Sequence, residues 1–147
     1  MRLNNFLVKA KISTYASVGE SKETILEDDS KELIFEEGEF KYRDRYFGHH
    51  SFVGEEIVFE NGKAIWGMNY YAKNFSSDEI YPFLQKALRQ VNVEMPFRGP
   101  TLFEEGDYKY VNEIKGNVDK FYGKETIYYQ GKIVYEGYYH GGLIVFK

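Results

Sequence analysis

The segment Phe35–Tyr42, with the sequence FEEGEFKY, recurs in the second half of the chain at Phe103–Tyr110, as FEEGDYKY. Six of the eight positions are identical, and the other two exchange Glu for Asp and Phe for Tyr. The similarity continues on both sides, and the further matches are Phe6-Leu7 with Phe83-Leu84, Lys9-Ala10 with Lys86-Ala87, Phe52-x-Gly54-x-Glu56 with Phe121-x-Gly123-x-Glu125, Gly62-Lys63 with Gly131-Lys132, Trp66 with Tyr135, and Tyr70 with Tyr139. Motifs that recur in a fixed order indicate an internal duplication.

The motifs that follow each copy predict β-hairpins. Asn61-Gly62, between two apolar segments, is a strong signal for a two-residue type I′ turn, and Gln130-Gly131 stands at the equivalent place. The flanking segments predict hairpins at Phe52–Tyr71 and Phe121–His140. A further strand is predicted to lead into each hairpin, at Phe40–Tyr46 and Tyr108–Ile114.

A helix is predicted to precede each set of strands. One begins near Tyr81–Pro82, with an apolar face formed by Ile80, Phe83, Leu84, Ala87, Leu88 and Val91. Its counterpart is predicted at about Asn5–Ile12. The predicted fold class is therefore α+β, an internal duplication of an αβββ unit with antiparallel sheets backed by two helices. The two units are expected to be related by a pseudo-two-fold axis.

Each predicted unit is too small to be stable alone, because a three-stranded sheet with one helix buries little apolar surface. We therefore predict a single domain, residues 1–147, built of two repeats at about residues 3–75 and 78–147. The repeats are expected to share a core, with a cleft at the seam between them.

Composition excludes several functional classes. The chain has no cysteine and a formal net charge of −4, which argues against disulfides, thiolate metal sites and a phosphate-binding surface. It has neither the apolar core of a signal peptide nor a run of about 18 apolar residues. We therefore predict a soluble, cytoplasmic protein that uses no cofactor and binds neither nucleic acid nor membrane. Aromatic residues make up 18% of the chain, and they suit sheet faces, ligand pockets and interfaces.

Two equivalent glutamates, Glu56 and Glu125, are the first candidates for a site. Counting outward from the turns places both on the helix-covered face, where a carboxylate must be hydrogen-bonded or paired. Either each caps backbone N–H groups of the neighbouring unit, or the two share a pocket that holds a cation or acts as acid and base. The same counting adds Asn69, Tyr71, Tyr138 and His140 to this face. It assigns Trp66, Tyr70, Tyr135 and Tyr139 to the opposite, aromatic face.

Some polar residues occur in one half only. Asn69 aligns with Tyr138, and His140 aligns with Tyr71. Arg98, between two prolines, has no upstream counterpart and is suited either to binding an anion or carboxylate or to pairing with one of the two glutamates. The predicted ligand-binding residues are Glu56, Trp66, Asn69, Tyr70, Arg98, Glu125, Tyr135, Tyr139 and His140.

No metal site is predicted. His49-His50 lies in a predicted turn between strands, and adjacent histidines on a strand project in opposite directions and rarely share a metal. The sequence also contains no GxSxG, HExxH, Walker or Rossmann motif. No catalytic residue is assigned.

Together these motifs resemble an uncharacterised bacterial domain family with no established activity. The resemblance rests on FxGEExxxxxGKxxWxMNYY, followed by FLxxAL, PxRGP, GDYxY, FxGxExIxYxGxxVYE and YHGG, and covers nearly the whole chain. In many family members the domain lies behind a helix-turn-helix DNA-binding domain, for which this chain has no room. His49-His50 departs from the family, which tends to have small or mixed polar residues there. The tandem helix-and-sheet units also resemble drug-sensing domains of bacterial regulators, a similarity of fold that does not fix function.

Three functional hypotheses follow. The first is a non-enzymatic, sensor-like module that binds a small aromatic or cationic molecule between the halves, on Trp66 and neighbouring tyrosines. The second is an enzyme in the same cleft, with Glu56 or Glu125 as general base and His140 or Arg98 assisting. The third is an interaction module whose tyrosine face joins two copies of the chain or docks on a partner.

Overall fold

The computed structural model describes residues 2–18 and 23–147. Its helices are α1 (Arg2–Ser13), α2 (Tyr15–Val18) and α3 (Ile80–Leu88). Its strands are β1 (Thr24–Ile25), β2 (Lys31–Glu37), β3 (Phe40–Gly48), β4 (Ser51–Glu60), β5 (Lys63–Asn74), β6 (Leu102–Glu105), β7 (Tyr108–Asn117), β8 (Lys120–Tyr129) and β9 (Lys132–Leu143). Within the described residues all strands belong to one antiparallel sheet, in the order β1-β2-β3-β4-β5-β9-β8-β7-β6.

The predicted α+β class, with antiparallel sheets backed by two helices, is wrong, because the described residues form mainly one nine-stranded sheet with short helices. The FEEG segments account for part of the difference, since they form strands β2 and β6. Each is joined to the next strand by a two-residue turn that begins with a glycine at φ 60°, Gly38 or Gly106. In addition, β5 pairs with β9, which merges the two halves into one continuous sheet.

The two halves of the sheet have the same strand registers. The corresponding cross-strand pairs are Phe35–Tyr42 with Phe103–Tyr110, Tyr42–Val58 with Tyr110–Ile127, and Val58–Trp66 with Ile127–Tyr135. The division into repeats at residues 3–75 and 78–147 stays a prediction. The matching registers are the reason why we continue to propose it.

The two predicted type I′ turns are confirmed. Both central residues have positive φ in each turn, 51° and 81° at Asn61 and Gly62, and 49° and 80° at Gln130 and Gly131. The flanking residues pair directly, as a two-residue loop requires.

Replacing Gly62 with Ala is expected to lower the free energy of unfolding by about 1–2 kcal/mol, because an L-residue is strained at this positive φ. A Cβ atom there would meet nothing within 4 Å, so the loss would come from the backbone alone. Urea unfolding followed by the fluorescence of Trp66, the single tryptophan, measures it. Asn61→Gly is the control, since it relaxes the neighbouring position. Equal stability of Gly62→Ala and wild type would contradict the turn type.

A β-bulge in the first hairpin corrects the predicted sheet faces. Phe59 faces Ala64, but Val58 faces Trp66, so Ile65 is an extra residue on β5. Since side chains alternate along a strand, one extra residue moves every later side chain to the other face. The second hairpin has a bulge at the equivalent place, between Ile127 and Tyr128 of β8. The faces obtained by counting outward from the turns are therefore wrong for the later residues of β5 and β9, so Trp66, Tyr70, Tyr135 and Tyr139 are buried, whereas Glu56 and Glu125 lie on the helix-covered face as predicted.

The two longer helices contribute to separate buried clusters. From α1, Phe6, Leu7 and Ala10 belong to a cluster formed mainly by the first half, which also includes Phe97 and Phe121. From α3, Phe83, Leu84 and Ala87, together with two further apolar residues, pack mainly with the second half. No helix in the described part of the chain is long and apolar enough to cross a membrane.

Candidate functional site

The buried face of α1 carries a charged residue, Lys11, next to the apolar residues that hold the helix to the sheet. Its ammonium lies 2.8 Å from Oε1 of Glu56 on β4 and also donates a hydrogen bond to the carbonyl oxygen of Phe97. Both members of the pair are nearly inaccessible to solvent. Burial lowers the pKa of Lys11, although the Glu56 charge opposes this. The pair is a buried salt bridge, which is costly to break from one side.

The second half contains an equivalent carboxylate, Glu125 on β8, with a different cation. Nε of Arg98 lies 3.1 Å from both carboxylate oxygens, and Nη2 of Arg98 lies 2.6 Å from Oε1. The hydroxyls of Tyr110 and Tyr135 donate to the same carboxylate at 2.5 and 2.7 Å. Burial opposes ionisation of Glu125, but the Arg98 charge and these hydrogen bonds outweigh it, so its pKa lies below the ordinary value.

A third buried carboxylate, Asp44 on β3, lies directly opposite Glu56 in the sheet and is 6% exposed. Among the described residues it accepts one hydrogen bond, from the Tyr70 hydroxyl at 2.5 Å. Burial, followed by the neighbouring Glu56 charge, raises its pKa from 3.8 to about 7. Asp44 therefore changes charge near neutral pH, unlike an ordinary aspartate.

The corresponding residue in the second half is an amide, Asn112 on β7, directly opposite Glu125. Its side chain donates to the carbonyl of Gly99 at 2.9 Å and accepts from the Tyr139 hydroxyl at 2.6 Å. The backbone carbonyl of Gly99 thus occupies the space beside Asn112 in the second half. In both halves a tyrosine hydroxyl donates a hydrogen bond at this position. In the first half the acceptor is the titratable carboxylate of Asp44, and in the second half it is the neutral amide of Asn112.

A cavity of about 50 Å³ adjoins Asp44 in the first half. That is room for a few waters or a small ligand. Its polar and aromatic lining includes Lys11, Tyr42, Asp44, Phe52, Glu56, Tyr70 and Arg98. At the seam itself the rings of Phe52 and Tyr135 lie 6.4 Å apart, and Arg98 lies 5.6 Å from the centroid of the Tyr70 ring. The cavity lies mainly in the first half, and Tyr81, Leu88 and Arg98 of the second half also line it.

The structure brings together seven of the nine predicted ligand-binding residues. On the helix-covered face it groups Glu56, Trp66, Tyr70, Arg98, Glu125, Tyr135 and Tyr139. The other two, Asn69 and His140, are exposed on the opposite face, where they are direct cross-strand neighbours on β5 and β9. Their predicted place beside the glutamates is wrong because the bulges reverse the alternation.

Sequence reasoning missed Lys11 and Asp44, the residues that distinguish the first half. Lys11 follows the repeated Phe-Leu-x-Lys-Ala motif by one residue, and its counterpart at the same spacing is Leu88. Asp44 and Asn112 lie two residues after the last tyrosine of each FEEG copy. Comparing the copies for differences in charge, rather than for identity, would have found both.

The geometry defines a β-rich protein with two buried ion pairs and a small cavity beside an additional carboxylate. Residues 44–144 match a family model described as a domain of unknown function (DUF5680). The chain belongs to this family. No curated protein and no solved structure gave a match.

Proposed function

We propose that this protein is a non-enzymatic, sensor-like module that binds a small cationic molecule, such as an amine, in the cavity beside Asp44. The observation that carries the proposal is the asymmetry between the halves. Asp44 lines a cavity, whereas Asn112 at the same register position is satisfied by the protein's own backbone. A position that is closed in one half and open in the other is suited to receive an external group.

The charges around the cavity favour a cation. Lys11 neutralises Glu56, and Arg98 neutralises Glu125. The carboxylate of Asp44 is the third acid of the group, and burial makes it costly to ionise without a further positive charge. A bound ammonium would supply that charge and would donate a hydrogen bond to the carboxylate.

The shape and lining of the cavity support the same ligand class. The rings of Tyr42, Phe52 and Tyr70 line it, and aromatic faces attract organic cations. Trp66 is not among the described residues that line it, so a ligand would contact these rings rather than stack on the tryptophan. The small volume favours an amine with few heavy atoms.

The enzyme hypothesis, with Glu56 or Glu125 as general base, is less favoured. Each carboxylate already accepts hydrogen bonds from a buried cation, and the pKa of Glu125 is lowered. A carboxylate stabilised in this way is a weak base. An enzyme in this cavity would have to use Asp44 instead, and turnover lost in an Asp44→Asn variant would favour that alternative.

The interaction hypothesis draws support from the other face of the sheet. Tyr71, Tyr122 and Tyr138 are exposed there, and no described helix covers them. Such a tyrosine surface is typical of an interface between two copies of a chain. Light scattering tests it, since a monomer at working concentrations would leave the cavity as the better-supported site.

The thermal midpoint of the protein at pH 8 is expected to rise in a panel of small amines, and Asp44→Asn is expected to abolish the rise. A ligand present at about 100 times its Kd adds roughly 2.7 kcal/mol to the free energy of unfolding. Asp119→Asn is the matched control, because it makes the same chemical change at an exposed position. Uncharged isosteres of the active amines should have no effect.

Two results would contradict the proposal. One is an equal rise for wild type and Asp44→Asn, which would place the amine elsewhere. The other is an equal response to amines and to their uncharged isosteres, which would remove the role of charge.

A further inference from the structure

Three potential metal ligands converge at one end of the sheet, and one of them, His49, also lines the cavity. His49 and His50 lie in the turn between β3 and β4, and Asp78 lies just before α3. Nε2 of His49 is 2.9 Å from Oδ1 of Asp78, and Nε2 of His50 is 3.5 Å from the same oxygen. The ligand atoms of all three residues lie within 4.8 Å of one another.

The backbone of the turn explains why two adjacent histidines point to one partner. Gly48 has φ 101°, and a Cβ there would lie 2.0 Å from the carbonyl oxygen of Ser51. The chain therefore reverses sharply at this glycine, and the alternation expected of a strand does not apply to His49 and His50. The two imidazole rings are nearly perpendicular, with centroids 5.3 Å apart.

Other contacts hold both segments in place without a metal. The backbone N–H of Asn74 donates to the carbonyl of His50 at 2.7 Å, and the Asn74 side chain donates to the carbonyl of Ser77 at 3.0 Å. The Tyr81 hydroxyl donates to the carbonyl of His49, and its ring lies 5.1 Å from the His49 ring. Prior ordering of the ligands lowers the entropic cost of binding.

The ligand types and spacing suit a first-row transition metal. Zinc binds imidazole nitrogen and carboxylate oxygen at about 2.0–2.1 Å, so the ligand atoms of a tetrahedral site lie roughly 3.3 Å apart. The observed separations of 2.9 and 3.5 Å bracket that value. All three side chains are partly exposed, which leaves a fourth position for water.

We propose that His49, His50 and Asp78 bind a divalent transition-metal ion such as Zn²⁺, with one coordination position open. The site is separate from the buried ion pairs and does not depend on amine binding. A bound metal would join the β3–β4 turn to the start of α3 across two segments distant in sequence.

Calorimetric titration of the protein, without an affinity tag, with Zn²⁺ tests this proposal at pH 7.5. We expect one ion per chain and at least a tenfold weaker Kd in His49→Ala, His50→Ala and Asp78→Asn. The control is His140→Ala, because His140 is the remaining histidine of the sequence and lies on the exposed sheet face. Titration with Co²⁺ should give the intense visible absorption of a tetrahedral complex in wild type and in His140→Ala.

The double variant His49→Ala/His50→Ala keeps the test decisive, since both changes are at partly exposed positions and circular dichroism can verify folding. Zinc affinity unchanged in this folded variant would overturn the proposal. Affinity lost in His140→Ala but kept in the double variant would also overturn it, because the ion would then bind at the sheet face.

Discussion

Replacing Arg98 with Met is expected to lower the free energy of unfolding by about 3–5 kcal/mol, because it leaves the Glu125 carboxylate buried without its cation. Met retains much of the apolar stem, so the lost charge rather than lost volume dominates. Urea unfolding, followed by circular dichroism, measures the change. A protein of this size has a total stability of roughly 5–15 kcal/mol, so the variant should be severely weakened.

Lys124→Met is the matched control for this prediction. It removes a cation from the partly exposed Lys124–Glu136 pair, at 3.2 Å, and such pairs contribute about 0–1 kcal/mol. Adding Glu125→Gln to Arg98→Met should recover part of the loss, since the uncompensated charge is then gone. Similar, small effects of Arg98→Met and Lys124→Met would contradict the account of Glu125 as a buried, paired carboxylate.

Replacing Asp44 with Asn is expected to stabilise the protein at pH 8 and to have little effect near pH 4. In the folded chain the pKa of Asp44 is raised to about 7, against an ordinary value of 3.8. Between these values the folded protein holds a proton that the unfolded chain has released, so the free energy of unfolding falls as pH rises. Each unit of difference in pKa corresponds to about 1.4 kcal/mol, so the gain at pH 8 is on the order of a few kcal/mol.

The difference in stability between Asp44→Asn and wild type, measured from pH 4 to pH 9, isolates this group from the other titrating residues. The gain should grow from pH 4 to pH 7 and then level off. Asn112→Asp provides the reciprocal test, because it would place a carboxylate against the carbonyl of Gly99, and it should destabilise most at high pH. A pH-independent difference for Asp44→Asn would contradict the raised pKa.

The hairpins could be predicted from sequence because their turns have few solutions. Asn61-Gly62 and Gln130-Gly131 satisfy the positive φ that both positions of a type I′ turn require. Helix α3 followed from apolar periodicity and α1 from its equivalent place in the repeat, and both lie within a few residues of their predicted bounds. These signals depend on residues that are close together in the chain, so they can be recognised in a single sequence.

The faces of the sheet could not be predicted from turn counting. The bulge at Ile65 has no sequence signature of its own, since an extra residue within an apolar segment resembles its neighbours. That single residue determines whether Trp66 and Tyr70 lie beside Glu56 or behind it. The fold class was missed for a related reason, because the pairing of β5 with β9 is a contact between distant segments.

The candidate site was predicted in part. The equivalent glutamates and Arg98 were recognised, and the pairing of Arg98 with Glu125 was one of the alternatives stated for it. The partner of Glu56 was missed, because Lys11 lies on a helix 45 residues away and its head group is buried, which is unusual for lysine. Asp44 was missed because an aspartate within a charged strand segment gives no sign of its burial.

A crystal structure of the protein grown with an amine that raises its thermal midpoint tests the central proposal most directly. We expect the amine nitrogen within about 3 Å of an Asp44 carboxylate oxygen, between the rings of Tyr42 and Tyr70. The amine bound on the outer tyrosine face, with the cavity occupied only by water, would contradict it.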